Sequence, residues 1–426
     1  MKKLKSDIII VGAGVGGATV AHELAKKGRK VLIIEKGHSF PQEKTGTELF
    51  VSRYYDKFGF RCKTVEGVHY YRTIMMGGTS VVSCGNAVES LKKEFKKIGI
   101  DLTGEFRETS KDLNIKPVPK SFIGKGTKKI MRAADKLGFK MELMPKLIDF
   151  KKCVACGNCV LGCRTNAKWT ARHFLNSARD NGVSLIEGMN VTKVLISRGR
   201  VRGIEGYNQA GEKTQILGKL VILSAGGIGT PIILQNSGIK AGRKLFLDLF
   251  SVTCGVTPEP GSSKELTMAA VSHNKGFILS PFIDPPFALA SVVPLPLRRY
   301  LKIMLFHKNM LGIMVKIKDD SVGKVHPDGR IEKKVTPGDL SKLNKGTEIA
   351  KKILIEAGVD PKTIMTTKIR GAHPGGTAAI GEVVNKDLET KVKGLFVCDA
   401  SVLPTSPGLP PIVTIIAIAK RLAKKL

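Results

Sequence analysis

The chain has 426 residues, 42% of them hydrophobic and 25% charged, a composition that excludes a mainly disordered or fibrous protein. Its 70 lysines and arginines against 36 acidic residues give a formal charge of +34, which attracts anionic partners. The basic residues are scattered rather than interleaved with aromatic residues, so we expect no nucleic-acid partner. An acidic protein, an anionic membrane surface and adaptation to high internal salt all stay open as explanations of the charge.

The sequence also carries signals about location. No apolar run reaches the length of about 18 residues that spans a membrane, and the amino terminus has no small-residue cleavage site of a signal peptide. The eight cysteines include four within one short segment, which in a cytosolic chain favours metal or redox chemistry over disulfides. We therefore expect a cytoplasmic protein, with peripheral membrane contact as an open alternative.

The first elements have the order strand, glycine turn, helix. An apolar run from Asp7 to Val11 precedes a G-x-G-x-x-G pattern, and a helical pattern from Ala18 to Lys27 follows it. In such a turn Gly12 permits the tight bend, Gly14 lets the backbone approach a pyrophosphate, and Gly17 lets helix and strand pack closely. The helix amino terminus supplies N–H donors for the phosphates.

A second strand, Lys30 to Ile34, ends in Glu35, where a carboxylate can accept hydrogen bonds from a ribose. Strand, helix, second strand and acid are in register, and together they predict a site for the ADP moiety of a cofactor. This part of the chain does not distinguish NAD from FAD.

Four further groups of motifs, spread over nearly the whole chain, resemble those of the glucose-methanol-choline (GMC) family of flavin oxidoreductases. They are Gly77-Gly78-Thr79-Ser80; Val221 to Gly227 with Pro231 and Ser237-Gly238-Ile239; His373-Pro374-Gly375-Gly376-Thr377; and Asp399-Ala400-Ser401 with Pro404-Thr405. The resemblance implies an α/β fold, with a discontinuous Rossmann-like FAD-binding domain and an α+β substrate-binding domain.

The same resemblance implies where FAD binds. The adenosine lies on the segment from Gly12 to Glu35, and the flavin is flanked by the loop from Gly77 to Ser83. The predicted cofactor-binding residues of these two regions and of the carboxyl-terminal motif are Gly12, Gly14, Gly17, Glu35, Gly77, Gly78, Thr79, Ser83, Asp399 and Ala400. A carboxylate after a buried strand can hold ribityl hydroxyls, although a turn or capping role for Asp399 is the alternative.

His373 is the predicted catalytic residue. It precedes a rigid turn with few side chains, and in the family the matching histidine takes the hydroxyl proton of an alcohol while hydride moves to the flavin. The alternative is that His373 only hydrogen-bonds the cofactor. Pro410 stands where the family has a second active-site residue, an Asn or His, so either His373 works alone or the substrate is not a simple alcohol.

The cysteine segment has C-x2-C-x2-C-x3-C spacing, the run found in bacterial ferredoxins. It predicts a [4Fe-4S] cluster on Cys153, Cys156, Cys159 and Cys163, with zinc as the lesser alternative. The fourth ligand could instead be a distant thiol: Cys62, Cys84, Cys254 or Cys398. Because the segment also resembles one in long-chain alcohol oxidases for which we infer no cluster, buried or vestigial thiols are the other interpretation.

The predicted FAD-binding domain comprises residues 1–90, 150–240 and 370–426, and the substrate-binding region comprises residues 91–149 and 241–369. Strands are expected over Asn190–Tyr207 and Lys213–Ser224, and a helix over Asp339–Gly358. The basic, apolar-faced segment Leu297–Val315 could line a hydrophobic pocket, contact an anionic membrane or belong to the core.

The sequence therefore predicts an FAD-dependent dehydrogenase that oxidises a hydroxyl-bearing, hydrophobic substrate and passes electrons through the cluster to an acceptor other than oxygen. An acidic carrier such as ferredoxin would suit the basic surface. Two alternatives are a reductase working in the opposite direction on a carbonyl or double bond, and an electron-transfer subunit without its own substrate.

Overall fold

The computed structural model describes residues 2–42, 45–57, 62–293 and 305–426. The helices are α1 Val15–Lys26, α2 Glu48–Ser52, α3 Lys92–Lys97, α4 Thr103–Asp112, α5 Lys125–Lys136, α6 Ala171–Asp180, α7 Gly226–Asn236, α8 Pro286–Val292, α9 Pro337–Glu356 and α10 Ile412–Lys425. Short 3₁₀ turns include Gly78–Val82 and Ala400–Val402.

The strands, in chain order, are β1 Lys2–Lys5, β2 Ile8–Val11, β3 Val31–Ile34, β4 His69–Tyr70, β5 Lys116–Pro117, β6 Glu142–Leu143, β7 Pro145–Lys146, β8 Ser184–Ile186, β9 Asn190–Ser197, β10 Arg200–Tyr207, β11 Lys213–Leu217, β12 Leu220–Leu223, β13 Leu249–Val256, β14 Ala270–Asn274, β15 Phe277–Pro281, β16 Met310–Ile317, β17 Lys324–Val325, β18 Ile331–Glu332, β19 Met365–Thr366, β20 Arg370–Gly371 and β21 Leu395–Val397.

A five-stranded parallel sheet forms the centre of the nucleotide-binding half, in the order β21-β12-β2-β3-β8. Its central strands are buried on both faces, which is why β2 and β3 read as continuous apolar runs rather than alternating ones. Helix α1 packs against α6 and α10 over this sheet. The predicted Rossmann-like arrangement of strand, turn, helix and strand is confirmed.

A second, largely antiparallel sheet runs in the order β4-β20-β13-β16-β15-β14-β6. Alternate residues of its strands face opposite sides, as the period of two requires. Ile313 and Val315 of β16 pack in one hydrophobic core with Leu343 and Ile353 of α9. Met314, between them in sequence, lies on the opposite face in a different apolar cluster. The fold is therefore α/β with a second, α+β unit, as predicted.

The two predicted strand regions form a meander that leads back to the parallel sheet, as expected. Asn190–Tyr207 forms the antiparallel pair β9 and β10. The region over Lys213–Ser224 is divided between two sheets, because β11 pairs with β10 while β12 joins the parallel sheet beside β2. Gly218, between them, lies where a Cβ would approach the Ser6 carbonyl oxygen to 2.7 Å, so the turn requires a glycine.

The predicted helix over Asp339–Gly358 is α9, which is preceded by a Thr336–Asp339 capping box. Residues 294–304 lie outside the described residues, and they include most of the basic side chains of the segment Leu297–Val315. The remainder includes β16, which is buried throughout its length, so that part belongs to the core. Within the described ranges, no helix is both long and apolar enough to cross a membrane.

Candidate active site

A cavity of about 590 Å³ lies at the carboxyl ends of the parallel strands. The residues that follow four of those strands line it: Gly12 after β2, Glu35 after β3, Ser224 after β12 and Asp399 close after β21. In open α/β sheets this edge is where ligands bind, since the strand ends and the helix amino termini converge there. The cavity continues from this edge to the second sheet, where Lys316 of β16 lines it.

The glycine turn has the geometry that the sequence predicts. Gly12 has φ +105°, and a Cβ there would lie 2.3 Å from the carbonyl oxygen of Ser224. A Cβ on Gly17 would lie 2.0 Å from the carbonyl oxygen of Gly12, so helix and strand approach closely. Gly14 differs, because nothing lies within 4 Å of where its Cβ would be, and it lines the cavity. Gly14 therefore leaves its space free for a ligand.

Glu35 accepts hydrogen bonds from two backbone N–H groups, Ala13 N at 2.7 Å and Gly37 N at 2.7 Å. These bonds tie the second strand end to the glycine turn. Burial raises the pKa of the Glu35 carboxyl, while the two N–H donors act in the opposite direction. The carboxylate still lines the cavity, where its remaining lone pairs can accept a ribose hydroxyl.

Asp399 is 6% exposed and is held from both sides. Its Oδ1 accepts from Ser401 N at 2.8 Å and its Oδ2 accepts from Gly226 N at 2.8 Å and from the Thr230 hydroxyl. The turn or capping role considered as an alternative for Asp399 is thus present in the structure. Asp399 and Ala400 nevertheless line the cavity, so contact with a cofactor stays a prediction for both.

The loop from Gly77 to Ser83 lies directly against the glycine turn. Gly77 and Gly78 have φ of +89° and +55°, and Gly77 N donates to Ala13 O at 3.1 Å. A Cβ on Gly78 would lie 3.1 Å from the Cα of Gly14. Gly78, Thr79 and Ser83 line the cavity. The chain thus brings together, side by side along the same cavity, two glycine segments about 65 residues apart in sequence.

His373 also lines the cavity, and its side chain is 22% exposed there. Its Nδ1 lies 2.8 Å from Oδ2 of Asp248, a fully buried carboxylate. Because a carboxylate only accepts, Nδ1 carries the proton and donates it, which leaves the lone pair on Nε2. Burial, and then the nearby Lys316 ammonium, lower the pKa of His373, while the hydrogen bond and the charge of Asp248 act in the opposite direction.

A network of buried polar groups fixes Asp248. Its Oδ1 accepts from Gly408 N at 2.9 Å and lies 2.6 Å from the Ser406 hydroxyl. The same hydroxyl lies 2.8 Å from Oδ1 of Asp319, whose Oδ2 pairs with Lys333 at 2.9 Å. Asp248 is therefore a rigid acceptor for His373 rather than a mobile one.

Sequence analysis missed two residues beside His373, Asp248 and Lys316. Each is a single charged residue inside an apolar run, Leu245 to Phe250 and Met310 to Ile317, and such an interruption was the available signal. Pro410, at the position of the absent second active-site residue, lines the cavity as expected. The charged partners of His373 come from the second sheet and its flanks instead.

The part of the cavity next to the second sheet is mainly apolar. Its walls include Phe250, Met268, Phe282 and Met314. These side chains belong to one hydrophobic cluster that continues behind the wall. A substrate bound here would place apolar groups against these side chains and its polar end toward His373.

The described residues fit an FAD. The position of Gly14 is open where a Cβ would stand, at the amino terminus of α1, so a phosphate can approach the backbone there. At the neighbouring strand end Gly226 N is already bonded to Asp399, and in the second glycine segment Gly78 lines the cavity whereas Gly77 does not. His373 lines the same continuous cavity as these segments.

The prediction of a metal site on Cys153, Cys156, Cys159 and Cys163 is not confirmed. All four cysteines are described, and no three Cys, His, Asp or Glu side chains in the described part of the chain are gathered as a metal-binding group. The segment is an irregular loop without helix or strand, in which Cys156 is exposed and the other three cysteines are half-buried.

The loop does lie close to the site. Val160 and Leu161 line the cavity, and the Lys168 ammonium below it donates to the carbonyl oxygens of Cys159, Val81 and Ser83. Burial is the main cause that raises the pKa of Cys153, and its charge interacts with those of the other three thiols. Of the distant thiols, Cys84 is the one that interacts with Cys159.

Comparison with family models and with related sequences points to one family. Residues 6–250 match the amino-terminal model of the GMC oxidoreductases, and residues 314–419 match the carboxyl-terminal model. An uncharacterized protein of Methanocaldococcus jannaschii is 32% identical over 99% of both chains. A long-chain-alcohol oxidase of Arabidopsis thaliana is 24% identical over 100% of this chain and 67% of its own.

Solved structures with the same fold include pyridoxine 4-oxidase from Mesorbium loti, with a TM-score of 0.74 and 16% identity over 99% of both chains. Formate oxidase from Aspergillus oryzae, determined in a study of FAD modification, has a TM-score of 0.78 and 15% identity over 100% of this chain and 98% of its own. The chain belongs to the GMC oxidoreductase family, and it is an FAD-dependent oxidoreductase of the kind that acts on CH–OH groups.

Proposed function

We propose that the protein oxidises the hydroxyl group of a small, largely apolar compound, with His373 as the base. FAD, when bound, accepts the hydride that leaves the carbon. The imidazole accepts the hydroxyl proton on Nε2, because Nδ1 is committed to Asp248 at 2.8 Å.

The observation that carries this proposal is the Asp248–His373 pair at the cavity wall. A neutral imidazole with a fixed tautomer can accept a proton, and a buried carboxylate beside it stabilises the imidazolium that forms. Asp248 acts through His373 and is therefore a positioning residue. Support for an apolar substrate comes from the walls formed by Phe250, Met268 and Met314.

The test is anaerobic stopped-flow reduction of the FAD-loaded enzyme by alcohols of increasing apolar size. We expect bleaching of the oxidised flavin absorbance, with a rate that falls by about 10²–10⁴-fold in His373→Ala. FAD content should be unchanged in that variant. A flavin that stays oxidised with every alcohol would contradict the proposal, and so would an unchanged rate in His373→Ala.

We propose separately that the loop from Cys153 to Cys163 binds a [4Fe-4S] cluster, although the thiols are not gathered in this structure. Support comes from the spacing of the cysteines. Further support comes from two buried lysines, Lys146 and Lys168, whose charges interact with those of the loop thiols. Neither lysine has a carboxylate partner among the described residues, and both are hydrogen-bonded to neutral oxygens. A cluster with four thiolate ligands would supply the missing negative charge.

Such a cluster would supply a route to a one-electron acceptor, for which an acidic ferredoxin suits the charge of +34. Anaerobic purification followed by iron and acid-labile sulfide assays tests the proposal. We expect about four of each per chain, with loss in Cys156→Ala and retention in the control Val154→Ala, an exposed residue of the same loop that is not a candidate ligand. Iron-free protein after anaerobic purification would contradict the cluster without affecting the proposed oxidation.

The division into an FAD-binding domain (1–90, 150–240, 370–426) and a substrate-binding region is kept as part of the proposal. Its support is that one hydrophobic core forms around the parallel sheet and another between the second sheet and α9. The segments do not follow these cores throughout, because Phe95 and Phe106 belong to the first core and Cys62 and Tyr70 to the second. Cytoplasmic location and peripheral contact with an anionic membrane likewise stay proposals.

A further inference from the structure

Lys316 is a buried cation at the wall of the active-site cavity. It lies near the end of the buried strand β16 and is 3% exposed. On one side its neighbours are apolar, since Met314 lines the same wall and the ammonium lies 5.7 Å from the centre of the Phe250 ring. Burial lowers the pKa of Lys316, and the carboxylates of Asp248 and Asp319 act in the opposite direction. Removing an ammonium from water is costly unless partners replace the water.

The ammonium has few partners within the protein. Its hydrogen-bond contact with the described residues is to Nδ1 of His373, 3.4 Å from Nζ. That nitrogen already carries the proton that it donates to Asp248, so it cannot also accept from Lys316. No carboxylate of the described chain lies within salt-bridge distance of Lys316.

The other buried lysines behave differently. Lys146 donates to Cys84 O, Thr267 O and the side chain of Asn86. Lys333 lies 2.9 Å from Asp319 and also donates to Asp320 O. The hydrogen-bond donors of both ammonium groups are taken up by oxygens of the protein, although Lys146 has no carboxylate partner among the described residues. Lys316 instead presents unused donors to the cavity, which points to an anionic group on a ligand.

The position of Lys316 limits where that anion can be. Nδ1 and Nε2 belong to the same five-membered ring, so Nζ is at most one ring width farther from Nε2 than from Nδ1. A ligand with its anionic group and its hydroxyl on neighbouring carbons is therefore long enough to contact both Lys316 and Nε2. A carboxylate is a planar anion whose two oxygens can accept hydrogen bonds from an ammonium.

We propose that Lys316 binds the carboxylate of the substrate, and that the substrate is a hydroxy acid with an apolar body. This inference rests on the proposed oxidation and names its substrate class. In the reaction the C–H bond of the hydroxyl-bearing carbon breaks and its hydride passes to FAD, the hydroxyl proton passes to His373, and a carbonyl forms. A 2-hydroxy acid is thereby converted to a 2-oxo acid, while the carboxylate stays on Lys316.

The first experiment measures binding without turnover. Hexanoate and hexanamide, which match in shape but differ in charge, are titrated into the FAD-loaded enzyme and followed by the change in flavin absorbance and by thermal shift. We expect hexanoate to bind about 10-fold more tightly, the size expected for a hydrogen bond to a charged group. In Lys316→Met the preference should disappear, and in Lys316→Arg it should persist.

The matched control is Lys318→Met, which removes one positive charge two residues away but outside the cavity lining, where Lys318 pairs with Glu94. It should keep the preference for hexanoate. If Lys316→Met does not fold, the comparison of hexanoate with hexanamide in the unaltered enzyme still tests whether the site prefers a carboxylate. Equal binding of the two would overturn the inference.

The second experiment compares flavin reduction by 2-hydroxyhexanoate and by 1-hexanol. Both substrates are measured well above the acidic limb set by His373, because Lys316 also affects the pKa of that imidazole. We expect Lys316→Met to raise the KM for the hydroxy acid about 10-fold more than that for the alcohol. Equal changes in KM with both substrates would overturn the inference. Reduction by neither compound would contradict the proposed oxidation, whereas the binding preference would still be judged by the first experiment.

Discussion

Oδ2 of Asp248 and Nδ1 of His373 are 2.8 Å apart, although the two residues are 125 positions apart in sequence. Asp248 reaches this point just before β13, in a left-handed conformation with φ +51°. His373 follows β20, which pairs with β13 in the second sheet. The pairing of these strands therefore brings the acid and the imidazole together.

Asp248→Asn should lower the rate of flavin reduction by about 10²-fold or more. The amide keeps the shape of the carboxylate, but its N–H can donate to Nδ1, which would shift the imidazole proton to Nε2 and remove the acceptor. Stopped-flow reduction measures the rate, and FAD content and thermal unfolding check the fold. An Asp248→Asn enzyme that folds and reduces its flavin at the original rate would refute the positioning role.

The pH profile of kcat/KM should have its acidic limb below the usual pKa range of histidine. Burial and Lys316 lower the pKa of His373 from its ordinary value of 6.5. A base must be unprotonated, so kcat/KM should be constant above about pH 7 and should fall only as the pH drops below about 6.5. Lys316→Met should move this limb to higher pH, because it removes one of the two causes that lower the pKa of His373. An acidic limb centred above pH 7 in the unaltered enzyme would contradict the assignment.

Two glycines of the first turn should respond differently to alanine. Gly14→Ala should leave the unfolding free energy of the apoprotein nearly unchanged, since nothing lies within 4 Å of the new Cβ, but should weaken FAD binding. We expect the Kd to rise about 10-fold, or ~1.4 kcal/mol. Gly12→Ala should instead destabilise the apoprotein by about 2 kcal/mol or more, because of φ +105° and the contact with Ser224.

Chemical denaturation and FAD titration of the same samples separate the two effects. Gly104→Ala is the control, because that position also has open space but lies in α4, away from the cavity lining. Unchanged FAD affinity in Gly14→Ala would mean that the cofactor does not approach this turn.

Lys168→Met should destabilise the protein by about 3 kcal/mol. The ammonium joins the carbonyl oxygens of Val81, Ser83 and Cys159, and methionine would leave all three without this donor. Urea unfolding measures the loss, with the exposed Lys151→Met as control. A loss no larger than that of the control would show that Lys168 does not hold the two loops together.

The nucleotide-binding half could be predicted because its signals are local. Strand β2, the turn at Gly12 and Gly14, helix α1 and the acid at Glu35 follow one another in the chain, and backbone geometry alone relates them. The segment over Lys213–Ser224 was predicted less well, because its apolar pattern does not reveal that β11 and β12 pair in different sheets. Pairing is decided by residues far away in sequence.

The sequence by itself determined the cofactor turn, the family and the presence of His373 in the site, since each of these depends on short motifs. Only the tertiary structure placed Asp248 and Lys316 beside His373 and left the four cysteines of the loop apart. The physical reason is that a buried charge is defined by its distant neighbours: whether it is paired, unpaired or facing a cavity depends on strands that meet only when the chain has folded.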